Sequence, residues 1–180
     1  MIFITGGVRS GKSAFAEKLA TQFGEDKRYY YIATGVAFDE EMKARIQRHQ
    51  LDRDKQAHSW ETIEMQVDFP RAIGQLSGSD VVLFECITTW LSNVLYISES
   101  HEQRSEYIHN SIETLQNQFI NWHEQGAKII IVSNEVLDEP ASQYEEVNMY
   151  RKLLGQLHQW LVKNSDEAYE VQFQLVQKWK

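Results

Sequence analysis

The segment Ile2-Phe3-Ile4-Thr5-Gly6-Gly7-Val8-Arg9-Ser10-Gly11-Lys12-Ser13 constrains this chain more than any other. Its first residues are apolar and mostly β-branched, which favours a strand. The run then breaks into G-x-x-x-x-G-K-S, and Ala14-Phe15-Ala16-Glu17-Lys18-Leu19-Ala20 after it is a good helix former. Strand, glycine loop and helix in that order make a loop for nucleoside-triphosphate phosphates. The glycines let the backbone curl so that N–H groups converge on phosphate oxygens, and the helix N-terminus adds partial positive charge. Gly6, Gly7, Val8, Arg9, Ser10, Gly11, Lys12 and Ser13 are therefore taken as nucleotide-binding. Lys12 has a catalytic role at the β/γ-phosphates, and the Ser13 hydroxyl is assigned to Mg²⁺.

Such a start demands parallel partners for its strand. Strand candidates fall at 1–5, 29–33, 81–84 and 128–133, with weaker ones at 60–64 and 167–176. Helical patterns occupy 12–23, 40–53, 67–76, 88–97, 104–125 and 144–163. Continuous apolar runs such as Val81-Val82-Leu83-Phe84 and Ile129-Ile130-Ile131-Val132 fit a sheet covered on both faces. Alternating strands and helices predict a three-layer α/β fold with a mostly parallel central sheet and right-handed crossovers. No repeat or Pro/Gly-rich linker interrupts the pattern, and 42% apolar content suits a single nucleotide-binding domain over 1–180.

The formal net charge of −8 argues against a non-specific nucleic-acid binder. No apolar run approaches the ~20 residues of a membrane span. The sequence opens on strand residues rather than a basic leader, and its lone cysteine, Cys86, suits a reducing compartment. These features predict a cytoplasmic protein with neither a nucleic-acid partner nor a membrane span.

Ligands of open parallel sheets collect at the carboxyl ends of the strands. Glu85 follows Val81-Val82-Leu83-Phe84, where an acid can orient Mg²⁺, partly through water. Asn134 and Glu135 follow the 128–133 strand and face the same crevice, either as ligand-positioning groups or as a cap or turn. Ala33-Thr34-Gly35 forms a small-residue turn able to pass close to a ligand.

Another constellation lies at Arg45, His49 and Arg53, which share one face if 40–53 is helical. Like charges at this spacing repel, so the stripe makes sense against an anion. Flanking cations favour the neutral imidazole, the nucleophilic form, which can attack phosphorus to give a phosphoramidate. His58, His101, His109, His123 and His158 lack such surroundings and read as surface or capping residues.

Together these residues resemble the bifunctional adenosylcobinamide kinase / adenosylcobinamide-phosphate guanylyltransferase family. The match runs through Thr5 to Glu17, then Ile32-Ala33-Thr34, Asp39-Glu40-Glu41 and the R-I-x-x-H-x-x-x-R segment ending at Arg53. It continues through Trp60-Glu61-Thr62-Ile63-Glu64, then Glu85-Cys86-Ile87-Thr88 with Trp90 and Asn93. It closes with Ser133-Asn134-Glu135-Val136 followed by Arg151, Gly155 and Gln159.

The resemblance implies a fold similar to the RecA-like phosphate-loop NTPases. It implies phosphorylation of adenosylcobinamide by ATP or GTP, then GMP transfer from GTP through a guanylyl-histidine on His49, giving adenosylcobinamide-GDP. It also implies nucleotide contacts from Ala33, Thr34, Gly35, Arg45, Gln50, Arg53, Glu61, Glu64 and Glu85, with Asn134 and Glu135 positioning the acceptor. A homo-oligomer, a trimer in the family, is implied as well. The chain departs from the family pattern at Asp54, where proline is usual, and at 137–142, where a glycine-rich loop is usual. Residues 171–180 also lack the customary glycine and proline. A phosphate-loop kinase of another small molecule, or a nucleotide-binding regulator without turnover, are the alternative readings.

Overall fold

The computed structural model describes residues 1–35, 59–137 and 142–180. Its strands are β1 (Ile2–Gly6), β2 (Arg28–Ala33), β3 (Trp60–Glu64), β4 (Asp80–Glu85), β5 (Lys128–Asn134), β6 (Glu167–Gln172) and β7 (Leu175–Lys178). They form one sheet in the order β3-β2-β4-β5-β1-β6-β7. All pairs are parallel except β6 with β7, as the alternating pattern predicts. The helices are α1 (Lys12–Ala20), α2 (Ile87–Ser98), α3 (Arg104–Glu124) and α4 (Glu145–Asn164). None among the described residues is long and apolar enough to cross a membrane.

Side chains alternate across a strand, and here both sets are apolar and buried. Ile2, Ile4, Tyr29, Tyr31, Val81, Leu83, Ile130 and Val132 point to the face covered by Ala16 and Ala20 of α1. Phe3, Tyr30, Ile32, Val82, Phe84, Ile129 and Ile131 point to the other, where α2, α3 and α4 pack. That second core is rich in aromatic edges. Phe84 meets Phe119 at 5.2 Å between ring centroids, and Phe69 meets Trp122 at 5.2 Å. Among the described residues, one helix lies on one face and three on the other, a three-layer α/β arrangement.

Three expectations need correction. The 67–76 segment carries only a 3₁₀ turn at Arg71–Ile73 instead of a helix. Pro70 lacks an N–H and disfavours helical geometry at Phe69. The carbonyls a helix would have used are taken by indoles: Trp90 Nε1 donates to Val67 at 3.1 Å and Trp122 Nε1 to Ile73 at 3.0 Å. The 167–176 run is a hairpin rather than one strand, turning at Phe173 and Gln174. The helical pattern at 12–23 is α1 plus a 3₁₀ turn at Thr21–Phe23, and the pattern at 40–53 lies outside the described residues.

His158 is also not the surface residue expected. It is buried on α4, packs 5.3 Å from the Phe3 ring and shares a 2.7 Å hydrogen bond with Ser133 Oγ through Nε2. Burial pushes its pKa down to about 4. The unfolded chain therefore binds a proton near pH 6.5 that the folded chain refuses until about pH 4. Stability tied to this residue is complete above pH 6.5 and is lost as pH falls toward 4. Urea titrations across this window should show the wild type losing about 3 kcal/mol more than a His158→Gln protein. Parallel pH profiles for the two would refute the assignment.

Candidate active site

The ends of β1, β5, β4 and β2 lie side by side, because the registers pair Gly6 with Asn134, Glu85 with Val132, and Ala33 with Glu85. The phosphate loop springs from the first of these. Gly6, Arg9 and Gly11 take positive φ, at 157°, 59° and 96°. Ser10 N–H donates to the Gly7 carbonyl at 3.2 Å and closes the curl. α1 then begins at Lys12 after Gly11 as N-cap, with no side-chain cap and no acidic residue in its first turn. Its N-terminal amides thus keep their partial positive charge with no acidic residue of the helix's own first turn to offset it. Lys12 is buried beside them, with its ammonium donating to the Gly7 carbonyl at 3.0 Å. Val8 and Arg9 are exposed at the rim, and the Ser10 hydroxyl is buried with no protein hydrogen-bond partner among the described residues.

β5 lies between β1 and β4, so the loop strand and the acid strand are about 10 Å apart. The first turn of α1 closes that distance. Ser13 Oγ donates a short hydrogen bond to Glu85 Oε1, and Tyr31 OH donates to Glu85 Oε2 at 3.1 Å. The carboxylate is thus oriented on both oxygens toward the floor of the phosphate loop. A hydroxyl and a carboxylate at this position form the hard-oxygen donor set that suits Mg²⁺.

A second network fixes the middle of the crevice. Thr34 is fully buried; its Oγ1 accepts from Cys86 N–H at 2.8 Å and donates to the Cys86 carbonyl at 2.9 Å. Asn93 Nδ2 donates to the Thr34 carbonyl at 2.9 Å. Thr34 therefore holds the β2 and β4 ends together, and Ala33 and Gly35 are the smaller residues on either side. Cys86 Sγ lies 2.9 Å from Thr88 Oγ1, which accepts from Asn134 Nδ2 at 3.0 Å. Tyr150 OH donates to the Thr88 carbonyl at 3.2 Å, and burial pushes that phenol up to about 12. Glu135 is engaged locally: its N–H donates to the Gly6 carbonyl at 2.9 Å, and its Oε1 accepts from Leu137 N–H at 2.7 Å. Arg151 Nη2 fixes the same turn through the Leu137 carbonyl at 2.7 Å.

Not every predicted residue converges. β3 is an edge strand that sets Glu64 level with Ala33, while Glu61 pairs with Tyr30 about 10 Å back along the strand. Both glutamates are exposed. Arg45, His49, Gln50 and Arg53 lie outside the described residues.

Two further elements were not found from sequence. Tyr31 orients Glu85, and the only available signal was the period-two alternation of Tyr29-Tyr30-Tyr31 combined with strand order. The β6–β7 hairpin presses on the phosphate loop: Gln174 N–H donates to the Ser10 carbonyl at 2.8 Å, and the Val171 carbonyl oxygen lies 2.2 Å from where a Cβ on Gly6 would stand.

A family model described as cobinamide kinase / cobinamide phosphate guanyltransferase matches residues 2–175. The bifunctional adenosylcobalamin biosynthesis protein CobU of Escherichia coli (strain K12) is 30% identical over 177 residues, 95% of this chain and 94% of its own length. The protein of the same name from Salmonella typhimurium (strain LT2) is 32% identical over 177 residues, with the same coverage. The bifunctional adenosylcobalamin biosynthesis protein CobP of Pseudomonas aeruginosa is 32% identical over 166 residues, 92% of this chain and 88% of its own.

The contact at Gly6 is backbone against backbone, so no side chain can yield to relieve it. Gly6→Ala should lower the melting temperature by about 5–10 °C through overpacking at this point. A calorimetric scan unchanged from wild type would show that β1 and β6 part there without cost.

Proposed function

Because the chain belongs to the cobinamide kinase / cobinamide phosphate guanyltransferase family, we propose that it carries out two successive transfers on adenosylcobinamide. In the first, the γ-phosphoryl group of ATP or GTP passes to the aminopropanol hydroxyl, which loses its proton as the nucleoside diphosphate leaves. In the second, a histidine nitrogen attacks the α-phosphorus of GTP and expels pyrophosphate. An oxygen of the corrinoid phosphate then displaces the histidine, breaking the P–N bond and giving adenosylcobinamide-GDP.

The observation that carries the first step is the joining of Ser13 and Glu85 beneath the glycine loop, with Tyr31 on the other carboxylate oxygen. Loop amides, the α1 N-terminus and Lys12 bind and orient the triphosphate and stabilise the charge that grows on its oxygens. Ser13 and Glu85 would hold Mg²⁺, partly through water, and the ion would supply charge neutralisation on the phosphates. Thr34, Cys86, Thr88 and Asn134 form a hydrogen-bonded wall, and on this reading the Asn134 side chain positions the acceptor. Glu135 supports that wall by pinning Gly6 through its amide.

The second step is assigned to His49, with Arg45, Gln50 and Arg53 binding the nucleotide and the two arginines offsetting the anionic phosphates. The sequence spacing and the family membership support this role. Incubation with GTP labelled at the α-phosphate, followed by denaturation, should leave acid-labile, base-stable label on the wild type and none on His49→Ala. An unlabelled wild type would remove guanylyl transfer from the proposal. Separately, Lys12→Ala should cut phosphorylation of adenosylcobinamide by several orders of magnitude in a direct assay of the phosphorylated corrinoid. Unchanged turnover would refute the loop assignment.

A further inference from the structure

The two carboxylate oxygens of Glu85 have different partners. Oε1 accepts from the Ser13 hydroxyl, and Oε2 accepts from Tyr31 OH at 3.1 Å. The sheet dictates this division. Tyr31 on β2 pairs with Leu83 on β4, and Glu85 stands two residues beyond Leu83. Side chains two apart on a strand share a face. Tyr31 and Glu85 therefore both point toward α1, whose first turn carries Ser13.

The phenol is also held in place. Tyr31 is buried, and the Trp60 ring of edge strand β3 stands 6.4 Å from it at 84°. Trp60 in turn packs 5.1 Å from the Tyr29 ring. Three rings on two adjacent strands thus keep the hydroxyl at Oε2.

This arrangement bears on which cation the carboxylate can take. Ca²⁺ accepts many oxygens in flexible geometry and often takes both from one carboxylate. Mg²⁺ demands near-ideal octahedral geometry and usually keeps several waters. Chelation through Oε1 and Oε2 together would have to break the Tyr31 hydrogen bond inside a buried setting, which is costly. Ligation through Oε1 alone leaves that bond intact.

We propose that Tyr31 is a positioning residue for cation selectivity. By occupying Oε2 it confines Glu85 to one-oxygen ligation, direct or through water, and so favours Mg²⁺ over Ca²⁺. The proposal rests on the reading of Ser13 and Glu85 as the Mg²⁺ site and adds the choice of ion to it. Tyr31 acts only through the carboxylate.

The test measures dissociation constants of the full chain for β,γ-imido ATP with saturating Mg²⁺ and with saturating Ca²⁺. The wild type should bind the Mg²⁺ complex more tightly; equal affinity would overturn the proposal. Tyr31→Phe keeps the ring against Trp60 and removes only the hydroxyl. It should narrow the Ca²⁺-to-Mg²⁺ ratio of dissociation constants about tenfold, mainly by tightening the Ca²⁺ complex. Weakening by one factor with both ions would mark the residue as a structural support, and an unchanged ratio would show no role in selection; either overturns the proposal. If Tyr31→Phe yields no folded protein, the ratio is read on Trp60→Leu, which keeps the hydroxyl but frees the ring. Narrowing there supports the proposal, and no change overturns it. Glu85→Gln should weaken the Mg²⁺ complex and abolish the preference, and adding Tyr31→Phe to it should change nothing further. If Glu85→Gln alters neither constant, the metal reading fails and selectivity with it. If Glu85→Gln acts and Tyr31→Phe does not, the selectivity proposal alone falls.

Discussion

The structure depends on a sheet that is apolar on both sides. From β2 through β4, β5 and β1, successive side chains alternate between two cores, and neither face carries enough polar surface to meet water. Parallel strands with two apolar faces must be covered on both, which forces long crossovers and places helices above and below. The same constraint brings four strand ends to one edge, since every crossover returns the chain to the opposite end. The crevice is therefore a by-product of burial, and the candidate site lies at the carboxyl ends where the backbone leaves the sheet.

Burial on the second face also explains the polar contacts inside it. Indole and histidine nitrogens cannot be left unpaired there, so Trp90, Trp122 and His158 each find an oxygen on a neighbouring element. Those bonds turn aromatic bulk into positional information. The Trp90 and Trp122 bonds hold the 67–76 segment in an irregular path, and the His158 bond ties α4 to the end of β5.

What could be read from sequence follows the reach of each interaction. The glycine loop, the strands and Glu85 were legible because their signals are contiguous: an apolar run, then the residue that leaves it. Tyr31 was not, because its role depends on which face it points to and on β4 lying beside β2. The 67–76 segment was misread because its apolar spacing is helical, whereas Pro70 and two distant indoles decide its path. His158 looked incidental because nothing near it in sequence announces that Ser133 faces it. The hairpin against the loop was invisible for the same reason: residues 171–174 and 6–11 meet only once the sheet is assembled.

That last contact has a consequence for how the phosphate loop comes into being. The loop belongs to an early strand, but the atoms that brace it belong to a very late one. Ser10 and Gln174 are joined across nearly the whole sequence, so the curl that gathers the amides lacks this brace until the sheet is nearly complete. A half-folded chain would carry the glycine sequence without its shape. Competence to grip a triphosphate then arrives together with the completed fold, which couples ligand capture to the quality of assembly rather than to the presence of the loop.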